Sequence, residues 1–231
     1  ANELGNKAAS PALVVDMDCV YGAVASCLGL SGDYGLADIL SYDGQIDDEL
    51  IVSTATVYSP ALHVLLSPAS VDHTDPAALN YDRLASALDA FQLAYYHTVL
   101  DAARVPMSMA AALASASKLT LLVLQLNVKD LANARAMLDV LTRHGIESEV
   151  VMPLANRYHK RNQMITLEEA EKALGIPVRR VCNDFASASR SINYGQPLAE
   201  AAPRSSLRRE LQGLAVQLVN SQGAADRADR R

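Results

Sequence analysis

Short apolar runs alternate with helical patterns along the chain, and the two periods divide it cleanly. Ala12–Met17, Leu62–Leu66, Tyr95–Leu100, Leu119–Leu124, Glu149–Met152 and Val178–Val181 each have strand length. Breakers at Pro11, Pro60, Pro68, Pro153 and Pro177 bound them. Between the runs, apolar residues recur at three- and four-residue spacing, which predicts helices. Asp75-Pro76 supplies an N-cap followed by proline at the first helical position, and the pattern continues through Leu79, Leu84, Leu88 and Phe91. A second helix is predicted over Asp130 to His144, with Leu131, Ala134, Leu138 and Leu141 on one face and Gly145 as its stop. A third opens at Thr166, where Glu169 completes a capping box, and ends at Gly175. A last helix runs from Ser205 to about Asn220 with Leu207, Leu211, Leu214 and Leu218 at helical spacing. The alternation predicts an α/β fold, a mostly parallel sheet with helices on both faces. Residues 1–220 read as one domain without internal repeats, and residues 221–231 as a polar disordered tail.

Composition narrows the classes. Half of the 231 residues are hydrophobic, enough to bury a full core. A net charge of −6 argues against a general polyanion-binding surface, so no specific nucleic acid is expected. Basic residues do gather late, at Arg157-Tyr158-His159-Lys160-Arg161, Arg179-Arg180 and Arg204 to Arg209, and read as solvated loops and a helix face. Cys19, Cys27 and Cys182 form no C-x-x-C pair and no metal-ligand spacing, and an odd, sparse set fits a reduced cytoplasm. His63 reads as a strand-face histidine. No apolar run reaches the length of a bilayer span, so no transmembrane segment is expected. The last helix carries Arg208 and Arg209 beside its leucine stripe. Glu210 and Gln212 dilute that charge and no bulky aromatic sits on the apolar face, so it is expected to pack on the sheet rather than on a membrane.

The chemistry concentrates at Leu13-Val14-Val15-Asp16-Met17-Asp18. Spacing of two puts Asp16 and Asp18 on the same side of a strand's C-terminal end. Open α/β sheets hold ligands there, and paired carboxylates suit a hydrated cation or an activated water. The alternative is a strand end followed by a solvated turn.

Further segments give this stretch a context. Asp16-x-Asp18-x-x-x-Gly22, Leu28-Gly29-Leu30, Gly35-Leu36-Ala37-Asp38-Ile39-Leu40, Leu100-Asp101-Ala102-Ala103-Arg104 and Leu154-Ala155-Asn156-Arg157-Tyr158 stand in this order. Leu174-Gly175-Ile176-Pro177, Asn183-Asp184, Asn193-Tyr194-Gly195-Gln196-Pro197-Leu198 and Ala202-Pro203-Arg204-Ser205 follow. From Leu13 to about Leu218 the chain resembles the MinD/ParA superfamily of deviant-Walker ATPases, and within it the CpaE/TadZ branch that assembles and positions Flp (Tad) pili.

The resemblance implies roles. Asp18 would orient or activate the attacking water, or hold magnesium through water, with Asp16 supporting it; phosphoryl transfer depends on such positioning. Asp101 would hold magnesium through its water shell, although the usual D-x-P or D-x-x-G is here Asp101-Ala102-Ala103-Arg104. Asn156 would bond the adenine edge after a late strand, and Asp184 would line the same pocket. The superfamily's glycine-rich phosphate loop, of the form K-G-G-x-G-K-S/T, is absent, and no G-x-x-x-x-G-K-S/T occurs anywhere in the chain. The chain therefore reads as lacking its first βα unit, with Ala1-Asn2-Glu3-Leu4 as the tail of the helix after that loop. ATP and Mg2+ are implied for an intact parent with ATPase activity, and none bound by this fragment. The resemblance further implies a cytoplasmic homodimer, recruited to the cell pole or inner membrane surface, with pilus or secretion assembly proteins as partners. Nucleotide would shift its monomer–dimer balance and slow hydrolysis would reset it. Two alternatives stand beside this: a partition or septum-site ATPase, and a nucleotide-free scaffold.

Overall fold

The computed structural model describes residues 1–18, 22–67, 81–161 and 163–228. They fall into two compact units, Ala1–Arg104 with Ser187–Arg231, and Val105–Ala186. The first begins with α1 (Asn2–Ala8), β1 (Ala12–Asp16), α2 (Val24–Leu28), α3 (Leu36–Ser41) and α4 (Asp48–Thr54). It continues with β2 (Thr56–Ser59), β3 (Leu62–Leu65), α5 (Leu84–Ala94) and β4 (His97–Asp101).

β1 is buried because it is central. It pairs in parallel with β3 on one side and β4 on the other, and β2 adds an antiparallel edge, giving the order β2-β3-β1-β4. Ala12, Leu13 and Val15 lose all solvent exposure, as a parallel strand covered on both faces requires. Val64, Leu65, Leu36, Ile39, Leu40, Ile51 and Phe91 fill the same unit, each large apolar side chain contributing about 1.5–3 kcal/mol. The unpredicted β2 has no apolar run to betray it, since Val57 is exposed at the sheet edge. Helices α2, α3 and α4, of 5, 6 and 7 residues, are too short for periodicity to register. The expected helix opening at Asp75-Pro76 lies outside the described residues, and α5 enters through a 3-10 turn at Tyr81–Arg83.

The second unit holds α6 (Met107–Ser115), β5 (Thr120–Leu124), α7 (Val128–Arg143), β6 (Val151–Tyr158), α8 (Leu167–Leu174) and β7 (Arg179–Cys182). Its three strands are parallel in the order β5-β6-β7. Leu131, Ala134, Leu138 and Leu141 of α7 form the predicted core face, joined by Ala170 and Leu174 of α8. Helix α7 starts at Val128, two residues before the expected Asp130, because Asn127 caps it by accepting the Asp130 N–H at 2.8 Å. The Thr166–Glu169 capping box forms as expected: Glu169 N–H bonds Thr166 Oγ1 at 3.1 Å and Thr166 N–H bonds Glu169 Oε2 at 2.8 Å. Strand β6 corrects the expected Glu149–Met152. Ser148–Val150 is a 3-10 turn, and the strand runs on through Pro153. Pairing with β7 begins only at Leu154, so Pro153 removes no ladder bond on that side.

Helix α9 (Phe185–Tyr194) leads out of this unit, followed by α10 (Leu198–Ala201) and α11 (Ser206–Ala228). Ala215, Leu218 and Val219 of α11 pack with Leu4 of α1, Ala12 of β1 and Val99 of β4. Arg208 Nε donates to Glu3 Oε1 at 2.7 Å. The helix thus lies against its own unit, as its charge pattern implied. It continues to Ala228, past the end expected near Asn220, because alanine, glutamine and arginine extend a helix readily and no proline stops it. Helices α2 and α9 end in contact. Gly29 (φ 60°) and Gly195 (φ 62°) are both left-handed, and a Cβ on Gly195 would lie 2.9 Å from the Gly29 nitrogen. No helix among the described residues is long and apolar enough to cross a membrane.

Candidate functional site

The register of β1 on β4 sets Asp16 opposite Asp101, so adjacent parallel strands end in facing carboxylates. The chain reverses nothing here; Met17 N–H simply bonds the Asp101 carbonyl at 3.0 Å and carries the backbone on to Asp18. Asp16 is 1% exposed and Asp18 6%, whereas Asp101 is exposed.

Asp16 is committed on both oxygens. Oδ1 accepts the Asp18 N–H at 3.1 Å and Oδ2 accepts the Val24 N–H at 3.1 Å, which ties the entrance of α2 back to the strand end. Burial pushes its carboxyl up from the ordinary carboxylate value, and the nearby Asp101 and Asp18 charges add to the rise, while the two N–H bonds pull the other way. Gly22 fits this closure because it has no side chain. A Cβ there would meet Ser67 Cβ at 2.5 Å and Asp16 Oδ2 at 2.8 Å.

Asp18 is fixed differently. Ser67 Oγ donates to its carbonyl at 2.6 Å, and Arg104 Nε donates to its Oδ2 at 2.5 Å. Arg104 stands three residues beyond Asp101, in the turn after β4, and reaches across to the neighbouring strand end. Neither Arg104 nor Ser67 was given a role from sequence. The sequence marks the position of Arg104, since an arginine stands where D-x-x-G carries glycine, but it does not mark the partner. Cys27 lies in the field of the same acids. Burial first, then Asp101 and Asp16, raise its thiol above the ordinary value, which disfavours a reactive thiolate.

These residues do not form a cage for a divalent cation. Asp16 spends both oxygens on backbone donors and Asp18 is bonded to a guanidinium. Among the described residues, no group of three histidine, cysteine, aspartate or glutamate side chains is placed to hold a metal ion.

The remaining expected site residues lie in the second unit. Asn156 sits inside β6 rather than beyond it, exposed, with Oδ1 accepting the Arg157 N–H at 2.8 Å. That bond accompanies a left-handed Arg157, φ 54°. On the adjoining strand end, Arg180 lies over the Tyr158 ring at 5.0 Å, and Asn183 Nδ2 pairs with His159 Nε2 at 2.6 Å. Asp184 follows directly, in the connection from β7 to α9.

No family model and no curated protein matches the chain at the level of sequence. Solved structures do match. A ParA family ATPase from Chlorobium tepidum TLS aligns with a TM-score of 0.83 at 22% identity, over 93% of this chain and 89% of that one. The septum site-determining protein MinD from Pyrococcus horikoshii OT3, solved with Mg-ADP, aligns with a TM-score of 0.79 at 17% identity, over 96% and 88%. The MinC:MinD cell division complex of Aquifex aeolicus gives 0.73 at 14%, over 95% and 88%. The mostly parallel α/β architecture of this chain is the fold of the ParA and MinD ATPases.

Proposed function

We propose that this chain is a MinD/ParA-type localisation protein of the CpaE/TadZ kind, serving the placement or assembly of a Flp (Tad) pilus or related secretion machine. The observation that carries the proposal is the acidic end of the sheet. Asp16 and Asp18 on β1 stand beside Asp101 on β4, at the strand ends where such sheets hold ligands, in a fold shared with ParA and MinD. In a chain that also carries the phosphate loop, ATP and Mg2+ would be the ligands. Asp18 is then the water-positioning carboxylate, and Asn156 and Asp184 are the groups offered to the base. The protein acts as a homodimer through which nucleotide state reaches its assembly partners.

A second reading, a nucleotide-free scaffold, applies to these 231 residues as they stand. The Arg104–Asp18 ion pair favours it, as does the lack of any G-x-x-x-x-G-K-S/T segment. Titration calorimetry with ATP and magnesium is expected to give no saturable site at millimolar concentration, and a stoichiometric site overturns the scaffold reading. The pilus role is tested in the natural host. Removing the gene is expected to strip surface pili seen by electron microscopy, with recovery on complementation. Normal piliation in the deletion strain overturns it.

A further inference from the structure

At the carboxylate end of β1, one side chain already stands where a cation would reach Asp18. Asp18 is almost fully buried, yet its Oδ2 is contacted at 2.5 Å by Nε of Arg104, whose own side chain is 59% exposed. The two are not sequence neighbours. Arg104 comes from the turn after β4, and the parallel β1–β4 register brings that turn beside Asp18. The backbone of Asp18 is anchored here, because Asp16 Oδ1 accepts its N–H and Ser67 Oγ donates to its carbonyl. The arrangement is therefore a buried anion on an anchored backbone, met by a cation whose side chain reaches solvent.

We propose that Arg104 is a tethered counter-ion that occupies the approach to Asp18, so that a divalent cation gains this carboxylate only by displacing the guanidinium. The buried carboxylate needs a positive partner, since an isolated one is costly to bury. Arg104 supplies that partner from within the chain, through a charge-assisted bond to one oxygen. Its side chain is mostly exposed, so a displaced guanidinium has water to move into, which makes the contact exchangeable rather than permanent. The inference rests on the position of Asp18 in the fold and not on the pilus reading.

Manganese, followed by the loss of its free-ion paramagnetic resonance signal, tests this on the 231-residue chain. The parent chain is expected to bind Mn2+ no better than its Asp18→Asn variant. Arg104→Ala is expected to tighten binding by about tenfold or more, the factor carried by one charge-assisted hydrogen bond. The gain should vanish in the Asp18→Asn, Arg104→Ala double variant and be suppressed again in Arg104→Lys, which restores a positive charge. Arg104→Gln, which keeps a donor without charge, serves as a second neutral variant should the alanine form not fold. A parent chain that binds Mn2+ tightly through Asp18 overturns the inference, and so does a folded neutral variant with no gain. Either result leaves the pilus reading standing, whereas normal piliation in a deletion strain refutes that reading without touching this one.

Discussion

Gly35→Ala should destabilise the first unit far more than its position at a short helix's edge would suggest. Gly35 forms a parallel bridge with Leu66, and Leu36 N–H bonds the Leu66 carbonyl at 2.9 Å. A Cβ on Gly35 would lie 2.1 Å from that carbonyl oxygen, and ordinary contact begins at 3.4 Å, so backbone must retreat by about 1.3 Å. Retreat of that size breaks the bond to Leu36, a residue 1% exposed, leaving a buried donor unmet at about 1–3 kcal/mol. It also disturbs the 2.8 Å bond from Gly35 N–H to Asp38 Oδ2, which caps α3. Overpacking of a tight site adds about 1–3 kcal/mol, offset partly by relaxation. A net loss of about 2–4 kcal/mol follows, or roughly 5–15 °C in melting temperature for a chain of this size. The contrasting substitution is Gly213→Ala on α11, where a Cβ meets nothing within 4 Å, and it should raise stability by up to about 1 kcal/mol. Thermal melts followed by circular dichroism compare the two. A Gly35→Ala melting point within about 1 °C of the parent would refute the backbone clash.

Other outcomes follow from single contacts. Arg208→Met and Glu3→Gln should each cost about 1–3 kcal/mol, since the pair is 19% and 14% exposed, and a double-mutant cycle should return a coupling near 1 kcal/mol; additive losses would dissolve the pair as a link between α11 and α1. Burial holds His63 below its ordinary value of 6.5, so its stabilising neutrality is complete above that pH and is lost as pH falls through the folded value. His63→Phe should therefore flatten the decline in stability between about pH 8 and pH 5, and an unchanged slope rules His63 out as a source. In a chain joined to a phosphate loop, Asp18→Ala should cut ATP turnover by about 10²–10⁴-fold while sparing ATP binding. Asn156→Ala should do the reverse, and unchanged turnover in the Asp18 variant ends its assignment as water-positioning group.

Much of this architecture can be seen in the residue pattern, for reasons that also mark where it fades. Strands such as β1 and β3 are short apolar runs beside proline breakers, and α7 and α8 carry both a periodic core face and side-chain caps. The single-turn helices and the exposed edge strand carry neither signal. Pro153 misleads because a breaker in sequence is harmless where one neighbour strand has not yet begun. The division into two units leaves no mark, since one boundary follows an ordinary turn at Arg104 and the other falls inside α9, between Ala186 and Ser187. At the site, the Asp16–Asp18 spacing is local and legible. The pairing of Asp18 with Arg104 is not, because it depends on which strand lies beside β1.

The meeting of α2 and α9 has a consequence for how the sequence is free to drift. At Gly29 a side chain faces open room, with Gly195 Cα no nearer than 3.7 Å, so only the left-handed backbone resists change. Asparagine, which tolerates that conformation, is an accessible replacement. Gly195 is held twice over, by its own φ of 62° and by Gly29 backbone atoms at 2.9 and 3.0 Å. The two positions are thus unequal partners in variation. Saturation libraries, or descendants separated by long divergence, should show Gly29 wandering among a few small polar residues while Gly195 stays a glycine.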